Sequence, residues 1–361
     1  MKIYQIKLTP VSSFQGFPAS DTLFGAICWG IKRIYGESRL ITILDGFQGK
    51  PEFILSSAFP YLESNNSCLP FYPKPISAGL SASDIEEIAD AVKKIDGVSD
   101  KKGKKVKLIT KYKKFKKAEY VSLSIFERLL KGVSEKALFQ EYCKLCSKFE
   151  DFKEKKLLIN EEEYTKVFKI IKPSVKTELV QKNSIDRLTM STGEEGETFY
   201  LQEHFTSPAF KLHFLIKTDN IDFLKPVFRY LEDKGIGGNR STGKGRFKIE
   251  GLNEVTIGDN SSRNFITLSK YIPDVSEINR NSQSMYYEIF PWRSKIDSEY
   301  EFKGDDIWKY KVMYLKEGSC LEAKMRKEFY GRMPIVKEIN GQKIYQNGIA
   351  FPVFGNFGGS R

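Results

Sequence analysis

Residues 238–245, GNRSTGKG, fall one position short of the nucleotide-binding pattern G-x-x-x-x-G-K-[ST]. In a loop of that kind a strand enters and a helix leaves, so the helix amides face the phosphates and the last hydroxyl holds magnesium. Here the hydroxyl position is Gly245, and the flanking patterns put a helix before the loop and a strand after it. The order is reversed, which argues against nucleotide hydrolysis. One alternative is a flexible helix-to-strand turn. Five glycines in eleven residues (Gly235, Gly237, Gly238, Gly243 and Gly245) exceed what such a turn needs. Glycines let a backbone approach a ligand closely, and their amides form an anion-binding concavity. With Arg240, Ser241, Lys244 and Arg246 alongside, the segment suits an extended polyanion better than a nucleoside triphosphate.

Other chemistry is sparse. The two histidines, His204 and His213, fall in predicted strands with no H-E-x-x-H or carboxylate companion motif. His204 is the candidate general base for RNA cleavage. His213 points away from the Phe210/Leu212/Phe214 face. CKLC (143–146) has redox or zinc spacing but no second ligand pair nearby. Phe139, Tyr142, Cys143 and Cys146 instead form one apolar helix stripe, so core thiols are expected. No nucleophile-elbow motif, metal site or cofactor site is expected.

The elements that must position these residues follow from periodicity. Alternation predicts a strand over 2–9, and a helix follows with Ser20 or Asp21 as its cap and Gly36 as its stop. PEFILSSAFPYL (51–62) reads as a second strand running into a proline-rich turn, CLPFYPKP (68–75). AFKLHFLIKT (209–218) reads as a strand, NIDFLKPVFRYLEDKG as a helix interrupted by Pro226, and GRFKIEG as a last strand. Without the insertions the order is βαββαβ, the ferredoxin-like (RRM-like) skeleton, in an α+β fold.

A helical insertion (about 78–170) carries helical periodicity at 83–95, 118–132 and 134–149. It also holds KKGKKVKLITKYKKFKK (101–117), with ten lysines in seventeen residues and no acid. That run reads as a solvated or disordered stretch, or as a nucleic-acid contact in which Tyr112 and Phe115 stack on bases. Residues 174–206 read as a projecting hairpin with a polar, Gly-rich middle at 181–197. The domain reading is therefore 1–257, then a linker at GDNSSRN, then a β-rich domain over 258–361, in outline a second ferredoxin-like copy.

The chain has 361 residues and a net charge of +12, which favours polyanionic partners, nucleic acid first and anionic membrane second. No signal peptide or transmembrane stretch is read, and five cysteines without a secretory signal suit reduced thiols in the cytoplasm.

Several segments together resemble one family. GIGGNRSTGKGRFKIEG is similar to the glycine-rich loop of the RAMP superfamily of CRISPR proteins. KLTPVSSFQGFPASDTLFGAICWGI resembles the first strand and helix of the handle-capping subunit family (subunit four) of type III-A (Csm) effector complexes. KNSIDRLTMSTGEEGETFY (182–200) is similar to the Asn-Ser-Ile-Asp-Arg segment of that family's projecting thumb. CLPFYPKP resembles its Pro-Lys-Pro turn, and IYQNGIAFPVF its C-terminal Tyr-x-x-Gly strand.

The resemblance implies a RAMP fold with a thumb hairpin (about 174–206) in a non-catalytic subunit that binds the repeat-derived 5′ handle of CRISPR RNA (crRNA). Its implied partners are the large polymerase-like (palm-domain) subunit and the first backbone RAMP subunit of the complex. Gly237, Gly238, Arg240, Ser241 and Gly243 would face the handle, and Asn183, Ser184 and Arg187 would lie on the thumb. Ser20, Asp21 and Thr22 would open a phosphate-accepting helix, and Lys74 would sit on the Pro-Lys-Pro turn. GKGRFKIE matches the aromatic pattern of RNA-recognition modules only in part, so RNA is expected on the loop and thumb rather than across the sheet. The alternative is a metal-independent endoribonuclease that processes precursor crRNA, since some RAMP proteins do this.

Overall fold

The structure is a computed structural model. It describes residues 1–47, 49–64, 67–149, 156–171, 173–183, 185, 189–192, 198–258, 261–297, 307–339 and 341–357. It is a mixed α/β fold with one large sheet and several small ones. The first half contains β1 (Lys2–Pro10), α1 (Ser20–Tyr35), α2 (Glu37–Gly46), β2 (Phe53–Leu55), β3 (Phe59–Ser64) and β4 (Ser67–Pro73). The insertion adds α3 (Ala82–Ala91), α4 (Lys101–Phe115), β5 (Tyr120–Ser122), α5 (Leu123–Leu130), α6 (Glu135–Lys148) and β6 (Leu157–Leu158). It closes with α7 (Glu161–Glu163) and α8 (Lys169–Ile171), joined by a π-helical turn.

A hairpin, β7 (Val175–Asn183) with β8 (Thr198–Thr206), pairs antiparallel along its whole length, within the 174–206 segment read as a projecting hairpin. Then come β9 (Phe210–Thr218), α9 (Ile221–Lys234) and β10 (Phe247–Glu254). The large sheet runs β10-β1-β9-β3-β4-β5-β6, with β2 also on β9, and only β5 and β6 pair in parallel. At its centre β9 is buried on both faces. On one side Phe214 packs against Phe228 of α9. On the other, Lys217 meets Phe351 and the Pro352 carbonyl of the C-terminal segment. His213 is turned away from the Phe214 face, yet it lies in the interior.

Three local expectations are corrected. The N-cap of α1 is Ala19, and no side chain caps it. The segment 51–62 is two strands: between them Ser56 Oγ accepts from the Leu215 amide and Ser57 Oγ from the Ser20 amide, so side-chain oxygens stand where ladder carbonyls would. CLPFYP is the strand β4, not a turn. It pairs with β3 up to Pro70 and with β5 from Phe71, so the proline that cannot donate marks the change of partner.

After β10 the described residues hold only strands: β11 (Asn264–Thr267), β12 (Ile289–Trp292), β13 (Val312–Leu315), β14 (Cys320–Glu322), β15 (Tyr330–Gly331), β16 (Ile335–Ile339), β17 (Gln342–Tyr345), β18 (Ile349–Ala350) and β19 (Pro352–Phe354). They form the sheet β14-β11-β19 and three two-stranded ladders. With no helix among the described residues of this segment, it departs from a second βαββαβ copy. It has its own small core around Phe265, Tyr271 and Tyr330. Ile266, Leu268, Phe351 and Val353 join the main core instead. No helix among the described residues is long and apolar enough to cross a membrane.

Candidate nucleic-acid interface

The glycine segment is built between α9 and β10. Gly235 ends α9 with φ +80°, and the Ile236 amide then donates to the Gly245 carbonyl at 2.8 Å, closing the loop at its neck. At Gly245 a Cβ would collide with the Ile236 carbonyl oxygen, and φ is +68°, so only glycine fits there. The Gly245 amide donates to Ser13 O at 2.9 Å, fixing the neck to the segment after β1. Beyond the neck, Asn239 is left-handed, Arg240–Thr242 form a 3₁₀ turn, and the amides of Thr242, Gly243 and Lys244 are used within the loop. The amides of Gly237 and Gly238 have no hydrogen-bond partner among the described residues.

Those two glycines, with Asn239, Arg240 and Ser241, form one wall of an open cleft of about 1630 Å³. A second wall is the outer side of α1, from Asp21, Thr22 and Gly25 to Trp29 and Lys32. The third wall comes from the C-terminal segment: Trp292 of β12, Lys343 and Tyr345 of β17, and Lys295 and Lys309 between strands. Arg240 is ion-paired with Asp297 across the cleft, and Lys32 with Glu37 at 3.2 Å. Lys295 stacks over Trp308 at 5.1 Å, and Lys343 is exposed. Burial lowers the Lys309 ammonium from its ordinary range, against the pull of Asp21 and Asp297. Cationic groups, indole rings and unengaged backbone amides thus share one open surface, a set suited to phosphates and bases of a single strand.

Under the cleft floor a buried network joins α1 to the C-terminal segment. Lys270 places its ammonium 3.0 Å from Asp21 Oδ1 and 3.7 Å over the Trp292 ring. Gln346 Nε2 donates to Asp21 Oδ2 at 3.2 Å and to the Tyr314 hydroxyl at 3.0 Å. Ser20 is fully buried, its amide donating to Ser57 Oγ and its hydroxyl accepting from the Lys270 amide. Ser20 and Asp21 therefore position the helix from within, and of the expected trio Thr22 and the rim of Asp21 reach the cleft.

Other expected positions are also placed by the fold. The Lys74 side chain is 14% exposed, 4.0 Å over the Phe115 ring and 3.6 Å from Glu135 Oε1, away from the cleft. Lys244 turns inward to Glu203 Oε2 and Ser13 Oγ, each at 2.9 Å. Glu203 is 1% exposed. Burial pushes its carboxyl up, but the Ser13 hydroxyl and the Lys244 ammonium outweigh that and hold it below its usual range. Gly243 and Arg246 are exposed outside the cleft lining. Asn183 ends β7 opposite Thr198, while Ser184 and Arg187 lie outside the described residues. The hairpin exposes Leu179, Phe199 and Tyr200.

His204 Nδ1 is 3.0 Å from Thr177 Oγ1 at the hairpin base, and its ring packs near Phe14 and Phe17. Burial, with Lys156 second, lowers its pKa. His213 is fully buried between Gln5 and the Phe71 carbonyl, and burial takes its pKa down to about 4. Cys143 and Cys146 are free thiols on α6, both raised by burial. Among the described residues no group of three or more His, Cys, Asp or Glu could hold a metal ion. The C-terminal wall went unread in the sequence. Its signal was the alternation of aromatic and basic residues in FPWRSK and KIY, and nothing local placed those strands against the loop.

No family model matches the chain. It is 26% identical over 276 residues, 75% of each chain, to "CRISPR system Cms protein Csm4" of Thermococcus onnurineus (strain NA1). Its fold matches a chain in a crystal structure of a Csm3-Csm4 subcomplex of the type III-A CRISPR-Cas interference complex. There the TM-score is 0.59 and the identity 18%, over 98% of this chain and 99% of the other. It also matches a chain of a Csm1-Csm4 cassette in complex with pppApA, with TM-score 0.56 and 19% identity over the whole of both.

Proposed function

We propose that this chain, a RAMP-superfamily subunit resembling Csm4 of the type III-A Csm complex, is a non-catalytic RNA-binding subunit that grips and caps the 5′ handle of crRNA. The observation that carries the reading is the convergence of Gly237, Gly238, Arg240 and Ser241 with Trp292, Lys295 and Lys343 on one open, basic, aromatic-lined cleft. In this reading the glycine amides and lysines hold phosphates and Trp292 offers a stacking face. The chain links the large palm-domain subunit to the backbone RAMP subunit, which the likeness to Csm4 chains solved with Csm1 and with Csm3 supports. The sheet order β10-β1-β9-β3, with α1 and α9 as its crossover helices, supports a ferredoxin-like core within residues 1–257, and 258–361 form the β-rich second unit. The hairpin β7–β8 is the thumb, and its exposed Leu179 and Tyr200 are its contact surface.

The endoribonuclease alternative has little support in the geometry, since His213 is sealed in the core and His204 sits against Phe14 and Phe17 outside the cleft lining. The test is to purify the tagged protein from its native host, sequence the RNA it carries and identify the subunits that accompany it. A uniform repeat-derived 5′ end is the expected result. Heterogeneous cellular RNA, or repeat cleavage in EDTA lost in His204→Ala, would overturn the proposal.

A further inference from the structure

The lysine run is not part of the cleft. It is the regular helix α4, held in an insertion at the far edge of the sheet from the glycine loop. Four strands lie between β10 and β5, so those two strands are roughly 24 Å apart. One stripe of α4, Lys104, Leu108, Lys111 and Phe115, is buried against α3 and α6. Its two inward lysines are satisfied: Lys104 donates to Val92 O at 2.8 Å, and Lys111 to Asp96 Oδ1 at 2.9 Å. Phe115 and Tyr112 pack on Phe139, so neither ring is presented for base stacking.

The outward face is different. Lys102, Lys107, Lys113 and Lys114 on the helix, and Lys117 in the turn that follows it, are exposed, and none has a carboxylate within ion-pair distance among the described residues. Acids reach only the side toward α3, where Asp90 meets Lys101 and Glu86 meets Lys105. Exposed Val106 and Ile109 lie between the free lysines. From Lys102 to Lys114 the ridge extends about 18 Å along a rigid axis. Like charges held this close repel one another, and that repulsion is relieved by a polyanion. Two small β-branched side chains are too little apolar surface to bury a helix in a lipid interface. The absence of any stacking ring or bidentate arginine leaves nothing to read bases with.

We propose that the outward face of α4 binds the phosphodiester backbone of single-stranded RNA without regard to sequence, as a contact separate from the cleft. It extends the RNA-binding reading and does not depend on the handle being the ligand of the cleft.

The test uses the full chain and a fluorescent oligouridine, with binding measured over a range of salt. Lys102, Lys107, Lys113, Lys114 and Lys117 are all changed to Gln in one variant and to Arg in another. The Gln variant should lose about tenfold in oligouridine affinity at low salt, and its slope of log K against log salt should fall by about 2, the value for three lost phosphate contacts. The Arg variant should retain both, and thermal unfolding of both should match the parent. An unchanged affinity and slope in the Gln variant would overturn the proposal, as would loss of binding to phosphatidylserine vesicles alone. Failure of the cleft reading looks different: the parent would then bind handle RNA and oligouridine equally.

Discussion

The Lys244 ammonium lies 2.9 Å from Glu203 Oε2, a carboxylate that the fold almost completely buries. The lysine that makes GNRSTGKG look like a phosphate-binding loop is thus a strut between the glycine segment and the base of the β7–β8 hairpin. Removing it leaves a buried carboxylate held by Ser13 and by Lys182 at 3.5 Å. Lys244→Ala should therefore cost about 2 kcal/mol in urea unfolding. Adding Glu203→Gln should recover most of that loss. Equal stabilities for Lys244→Ala and the parent would show that the strut carries no weight.

Gly243 and Gly245 both have positive φ, but their surroundings differ. A Cβ at Gly243 meets nothing, so Gly243→Ala should cost about 1 kcal/mol of left-handed strain. A Cβ at Gly245 meets the Ile236 carbonyl, so Gly245→Ala should cost about 3 kcal/mol or more, because the neck hydrogen bond must open. Chemical denaturation of the two variants side by side measures the contrast, and matching losses would refute it.

His213 gives the fold a pH dependence with a definite sign. Its pKa is lowered to about 4 in the folded state by burial, against an ordinary 6.5. Both states are neutral above 6.5, so this stability is complete there. As pH falls toward 4 only the unfolded chain takes up the proton, and about 3 kcal/mol is lost over that window. His213→Gln should flatten the stability profile between pH 6.5 and 4; an unchanged slope would assign the pH dependence to other groups.

Lys295 and Lys343 stand on the wall of the cleft that local sequence did not reveal. Changing both to Ala should weaken binding of a handle RNA about tenfold and lower the slope of log K against log salt by about 1.4, two single-strand phosphates' worth. Anisotropy titrations at several salt concentrations give both quantities, and an unchanged slope would remove these lysines from the interface.

Among the thiols, Cys68 is exposed, whereas Cys28 and Cys320 are pushed far above the usual thiol range by burial. A thiol reagent should label Cys68 fast in the native protein and Cys320, which is buried, only on unfolding. Cys68→Ser should abolish the fast phase; persistence of that phase would place another thiol at the surface.

Local pattern alone determined β1, α1, β9, α9, β10 and the β7–β8 hairpin, because alternation and helical spacing record which side of each element faces apolar neighbours. It also argued against nucleotide hydrolysis, since the helix-to-strand order around the glycines can be read within twenty residues. It did not show that CLPFYP is a strand, because a proline's place in a ladder depends on which partner lies on its N–H side. It did not show that the lysine run is a helix, because only packing of Leu108 and Phe115 against α6 distinguishes a docked basic helix from a solvated one. The burial of Ser20, Lys74 and Lys244, and the arrival of Trp292, Lys295 and Lys343 opposite the glycine loop, were decided by contacts between segments distant in the chain. Sequence specifies which groups can bind a polyanion. Which of them face solvent together and which are spent inside depends on how the C-terminal strands close over α1, and only the tertiary structure contains that.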